Sequence, residues 1–185
     1  MGQKIASITL LLSLVVAVRT EALPQYHITD LGVLPGYDYS VATAINDLGQ
    51  VVGYSWYSDP TRNIRKQAFL WTREAGMIGL GFLPEGVDSS EATSINNHGV
   101  VVGTANYTYG PDQYGIFTEV GTAFRWTRDG GMQNLHSLPP GYFGSSGTAI
   151  NDNGLIIAQT GNFATSRNAV ISDGVAGFRQ VFSVR

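Results

Sequence analysis

The 185-residue chain contains no cysteine. That excludes thiol chemistry and disulfide staples, so the packed core alone must carry stability. Charge is sparse at 14% of residues, and eleven Lys and Arg against fourteen Asp and Glu leave a net charge of −3. Such a balance has no basic footprint, and no nucleic acid is expected as a partner. Beyond residue 22 there is no apolar run long enough to span a bilayer and no lipidation signal, so no stable membrane insertion is expected there. No window beyond that point sustains i, i+3, i+4 apolar spacing, and no helix is predicted. Glycine, by contrast, is abundant at 23 residues, which suits many tight turns between short strands.

The first 22 residues read differently from the rest. Lys4 is followed by the apolar run Ile5–Val18 and the small-residue site Thr20-Glu21-Ala22. This is the pattern of a secretory signal peptide over residues 1–22, which predicts a secreted, extracellular or periplasmic protein. The alternative is an uncleaved N-terminal anchor, with Arg19 awkwardly placed for simple cleavage. Residues 23–185 form one predicted domain, long enough to bury roughly 70% of its unfolded surface.

One stretch is written three times. Ala42–Gly53 reads A-T-A-I-N-D-L-G-Q-V-V-G, Ala92–Gly103 reads A-T-S-I-N-N-H-G-V-V-V-G, and Gly147–Ala158 reads G-T-A-I-N-D-N-G-L-I-I-A. Each is an apolar run, a four-residue turn and a β-branched run. The Asn side chain can fold back on the local backbone, and the closing Gly can take positive φ. That predicts three β-hairpins, each on a type I turn with a glycine bulge.

More of the chain falls into the same register. L-G-V-L-P-G, L-G-F-L-P-E-G and L-H-S-L-P-P-G precede the hairpins, at Leu31–Gly36, Leu80–Gly86 and Leu135–Gly141. A-F-L-W-T at Ala68–Thr72, A-F-R-W-T at Ala123–Thr127 and the degraded A-V-I-S-D at Ala169–Asp173 follow them. The predicted repeats cover about 26–72, 73–127 and 128–176, with a partial fourth at 177–185. Each has a candidate first strand (Ile28–Leu34, Met77–Leu83 or Met132–Leu138), two hairpin arms, and the A-F-x-W-T run. Four short strands in a repeat of 40–50 residues are the signature of a propeller blade. The expected fold is all-β, a β-propeller-like array of three four-stranded antiparallel blades that is incomplete as a ring. A β-solenoid or sandwich of the same hairpins is the alternative. Trp71 and Trp126 are expected to be buried between blades.

The combination D-L-G-x-L-x-G, A-x-x-I-N-x-x-G-x-V-V-G and A-F-x-W-T resembles the bacterial extracellular HAF-repeat family, over Tyr26 to Val184. The family's name-giving positions are Gln67-Ala68-Phe69 and Thr122-Ala123-Phe124, neither of which begins with His. The third repeat departs from the pattern at Ser172 and at Ile156-Ile157-Ala158. The resemblance implies a secreted, repetitive β protein, with no catalytic residues attached to the motif.

Few residues suggest chemistry. Gly144-Ser145-Ser146-Gly147 is near an esterase elbow, but Thr148 stands where the second Gly of G-x-S-x-G belongs. His27, His98 and His136 show no metal-ligand spacing, and Asp152-Asn153-Gly154 lacks the later acid of a calcium loop. Asp38 and Asp88 occupy equivalent positions and raise glycoside chemistry as an alternative. No catalytic residue, metal or cofactor is predicted.

The loops after the hairpins vary most, running 54–67, 104–122 and 160–168. Insertions at one point of every repeat land on one face, commonly the binding face. Tyr54, Trp56, Tyr57, Arg62, Asn106, Tyr107, Tyr109, Tyr114 and Phe163 are the candidate ligand-binding residues, since flat aromatics beside amides and charges suit sugar rings or peptides. Local packing of these aromatics on one another is the structural alternative. The expected function is a secreted, non-catalytic repeat domain binding a glycan or an extracellular protein. The alternatives are a purely structural cell-surface or matrix module, or a polysaccharide-acting propeller enzyme. Three blades leave open faces, so a homodimer closing the array head to tail is also expected, against a chain that stays open.

Overall fold

A computed structural model describes residues 26–58, 64–84, 86–109, 118–135, 144–161, 167–173 and 179–180. Residues 1–30 and 31–185 are separate units. In the first, residues 26–30 are exposed and form no strand, and the leader expected at 1–22 lies outside the described residues.

The second unit is all-β, with no helix among the described residues. Its strands run as three antiparallel meanders. The first holds β1 (Tyr39–Ile45), β2 (Val51–Ser58), β3 (Ile64–Thr72) and β4 (Gly76–Gly79). The second holds β5 (Gly86–Ile95), β6 (Val101–Tyr109), β7 (Thr118–Thr127) and β8 (Gly131–Asn134). The third holds β9 (Gly144–Ile150), β10 (Ile156–Gly161), β11 (Arg167–Ser172) and β12 (Arg179–Gln180).

Where three separate four-stranded sheets are expected, a parallel bridge between Lys66 and Ser89 joins β3 to β5. The result is one eight-stranded sheet and one four-stranded sheet. The cause is the shortness of β4. It covers β3 only from Phe69 to Thr72, so the start of β3 keeps an open edge that β5 reaches.

The phase of the repeat also differs from expectation. The strands at Gly76 and Gly131 are not the first strands of a repeat. Each closes the meander before it, because a tight turn after Thr72 or Thr127 ends in Gly76 or Gly131 at φ 68° or 63° and folds the chain straight back. Residues 80–83 leave the strand, and 26–34 form none. Likewise β12 pairs with β11 and completes the third meander instead of opening a fourth.

The hairpin turns form as the sequence predicts. The Gly49 N–H donates to the Asn46 carbonyl at 3.0 Å, and Asn96–Gly99 and Asn151–Gly154 repeat the bond at the same length. Gly49, Gly99 and Gly154 have φ of 72°, 73° and 79°, where a Cβ would be strained. The Asn46 Oδ1 accepts from the Leu48 and Gln50 N–H groups at 3.1 and 3.0 Å, and Asn96 does the same for His98 and Val100.

Beside each turn the hairpin is bulged, and a small pair faces across it: Ala42 with Gly53, Ala92 with Gly103, Gly147 with Ala158. A Cβ on Gly53 would stand 1.9 Å from the Val41 carbonyl oxygen, and one on Gly103 would stand 2.0 Å from that of Glu91. One methyl fits each pair. The third repeat moves it to the opposite strand instead of adding a second.

Alternation gives each meander two faces. In the first repeat, Val51, Phe69, Trp71 and Met77 share a front face with Leu31, Leu34 and Tyr37 packed on it. Its back face carries Val52, Ala68, Leu70 and Ile78, and meets Ala92, Ile95, Val101, Phe124, Trp126 and Met132 of the second repeat's front. Val102 and Ala123 on the second repeat's back meet Ile150, Ile156, Ala158 and Val170 of the third. The core therefore lies between successive repeats, front against back.

Candidate functional site

The aromatic candidates that the structure describes lie on β2, and alternation divides them. Trp56 pairs across the ladder with Tyr39 and with Lys66, and Tyr54 with Val41 and Ala68, so these share the back face. Tyr57 points the other way. It packs against Tyr37, with ring centroids 5.5 Å apart and planes at 59°.

On the back face, Tyr39 and Trp56 stack at 4.5 Å and 23°. Tyr39 is 55% exposed and Trp56 half-buried. The Lys66 ammonium stands 5.0 Å from the Tyr54 ring centroid, within reach of a cation–π contact. Its Nζ also donates to Glu91 Oε1 at 2.6 Å. The arrangement is an aromatic shelf with a fixed ion pair at its edge.

Asn106 is half-buried on β6. Tyr107 and Tyr109 lie on the same strand, with side chains outside the described part. Arg62, Tyr114 and Phe163 lie outside the described residues. Nothing described brings the second and third loops to the shelf.

The opposite end of the repeats holds clefts that the motif reading missed. One of about 500 Å³ is lined by Asp47–Gln50 and by Trp71, Thr72, Arg73 and Glu74. Its counterpart, about 370 Å³, is lined by Asn97, His98 and Gly99, by Trp126, Thr127, Arg128 and Asp129, and by Leu48, Gln50 and Leu70 of the first repeat. The signal was present in the sequence as the recurring W-T-R followed by an acid, beside a hairpin turn. It reads there as turn composition alone.

Ser145, weighed as a nucleophile, is a structural residue. It is buried, and its Oγ accepts the Ala123 N–H at 2.8 Å; Ser90 does the same for Ala68 at 3.0 Å. Asp38 is exposed, and the side chain of Asp88 lies outside the described part. His27 and His98 are exposed, and His136 lies outside the described residues. Among the described residues no group of three His, Asp or Glu could hold a metal ion. Asp152 is an exposed carboxylate beside the Asn97 turn. The Asn97 backbone N–H and then its side-chain amide hold the Asp152 pKa below its ordinary value, and His98 acts in the same direction.

These features define an all-β protein whose hairpin repeats pack front to back. A model of a family described as a protein of unknown function (DUF3466) matches residues 35–115. The matched stretch contains the first two hairpins. Among curated proteins and among solved structures, none matches the chain.

Proposed function

We propose that the chain is a secreted, non-catalytic repeat domain that binds an extracellular glycan or surface protein through an aromatic shelf. In this reading it is an array of the HAF-repeat kind, with three propeller-like blades that correspond to the three meanders. The matching hairpin registers and the recurrence of the buried Ser–Ala contacts between repeats support that architecture. The single observation that carries the binding reading is the Tyr39–Trp56 stack, an exposed ring on a half-buried one, beside Tyr54 and the Lys66–Glu91 pair. A flat apolar surface with fixed donors and acceptors at its rim suits the faces and hydroxyls of a sugar ring.

The test is a glycan array probed with the chain and with Trp56→Ala. Loss of the stacking partner should weaken any bound glycan by about tenfold or more, the effect of losing roughly 1.4 kcal/mol. Asn46→Ala, on the hairpin turn, should leave affinity unchanged while lowering stability. Equal affinity of the Trp56 variant would remove the shelf as the site. An array on which the chain binds nothing, with the protein intact, would favour the purely structural module.

A further inference from the structure

We infer that copies of this chain associate head to tail, the back face of the third repeat of one copy docking on the front face of the first repeat of the next. The internal contacts between repeats are the template, and they have a direction.

Three bonds recur at both internal junctions, and in each of them the earlier repeat donates and the later one accepts. The Thr43 hydroxyl donates to the Ala92 carbonyl at 2.8 Å, and Thr93 donates to that of Gly147 at 2.8 Å. The Asn46 amide donates to the Asn96 carbonyl at 2.9 Å, and Asn96 to that of Asn151 at 3.1 Å. The Asp47 N–H donates to Asn97 Oδ1 at 3.0 Å, and the Asn97 N–H to Asp152 Oδ1 at 2.8 Å.

The ladder stops at both ends in complementary states. Thr148, Asn151 and Asp152, the next donors, are exposed on the third repeat. Ala42, whose carbonyl is the next acceptor, and the Asp47 carboxylate are exposed on the first.

The apolar positions match in the same sense. Val52 and Val102 are fully buried at the two internal junctions, whereas their counterpart Ile157 is 48% exposed. Ile95 is 7% exposed against the repeat before it, whereas its counterpart Ile45 is 68% exposed. Trp71 and Met77 on the first repeat's front are half-buried, where Trp126 and Met132 are buried. The occupant that satisfies both sets at once is the face at the other end of a second copy. The worn third repeat is no obstacle, because Ser172 lies on its front, inside the molecule, and the docking front carries Trp71.

One rung is imperfect. Asn97 donates its side-chain amide to Asp47 Oδ2 at 2.8 Å and to Asp152 Oδ2 at 2.9 Å. Between copies, Asp152 meets Asp47 with no such amide between them. Asp47→Asn restores the donor, and it tightens the contact only if the copies meet in this register. The contact joins two different surfaces, so it closes into a ring or runs on as a filament according to the rotation per copy.

The absence of cysteine allows a background-free test on the purified full chain. Asp47→Cys and Asp152→Cys are made singly, mixed and oxidised; Asp47→Cys with Asn97→Cys in one chain is the control for a rung that is present within the molecule. The expected result is a 47-to-152 disulfide between copies in the mixture, with neither variant linking to itself. Light scattering should show association that Ile45→Asp, at an exposed position, weakens by about tenfold or more and that Asp47→Asn strengthens. Three results would overturn the proposal. One is a monomer at every concentration with no mixed disulfide. Another is self-linking of either variant in excess of the mixed product. The third is a monomer whose Ala42–Ile45 amides are nevertheless protected, which would mean that the chain's own residues cover this face.

Discussion

Trp71 and Trp126 stand in nearly the same local sequence, A-F-L-W-T and A-F-R-W-T, yet only the second is buried, at 7% exposure. Strand, register and face are the same for both. What differs is the neighbour. Trp126 lies against the back of the first repeat, while among the described residues Trp71 packs with Leu31, Leu34, Tyr37 and its own sheet. A residue's contribution here is set by which repeat stands in front of it, and the strand it belongs to matters less.

The largest expected effect follows from that pair. Trp126→Ala should cost about 3–5 kcal/mol, the usual penalty for emptying a buried aromatic site. Trp71→Ala should cost less, about 1–2 kcal/mol, because only the buried part of the ring contributes. Chemical denaturation of the two variants reads the difference directly. Equal losses would show that the repeats do not depend on their neighbours.

A finer grading comes from the turn asparagines. Asn96 is buried, holds its own turn through Oδ1 and donates onward to Asn151. Asn46 makes the equivalent bonds at a half-buried position, and Asn151 holds its turn at an exposed one. Alanine should cost about 2–3 kcal/mol at 96, about 1–2 at 46 and about 1 or less at 151, since the penalty grows as unpaired groups are shut away from water. A flat series across the three would mean that the turns act locally and that the ladder between repeats adds nothing.

The hairpins were legible in the sequence because their causes are local. An Asn, a Gly three residues on and a β-branched run are enough to specify the turn, the bulge and the pairing of the two arms. The all-β class followed from three such units and from the lack of helical periodicity. The phase of the repeat was not legible. Whether Met77 pairs backward with Trp71 or opens the next repeat depends on the turn at Ala75-Gly76, and both choices place a strand over the same residues. The bridge from β3 to β5 was hidden for a related reason, since it exists only because β4 stops short.

The candidate site was partly legible. The aromatic richness of β2 is plain in the sequence, but its division between two faces follows from strand alternation along Tyr54, Trp56 and Tyr57, which a loop over 54–67 does not impose. The ladder was masked by economy of use. Asn46 and Asn96 satisfy their own turns through Oδ1 and reach the next repeat through Nδ2, and the first task alone accounts for their presence in the sequence.

The central claim is that stability comes from repeat against repeat. Native-state hydrogen exchange, at a dilution where the chain is monomeric, tests it most directly, because local opening reports how each segment is held. The account predicts that the middle hairpin, residues 92–103, exchanges slowest. Residues 42–53, open on one side, should come next. Residues 147–158 should be fastest, with the whole stretch 147–176 less protected than 42–72. Uniform protection of the three hairpins, or an end hairpin as slow as the middle one, would contradict it.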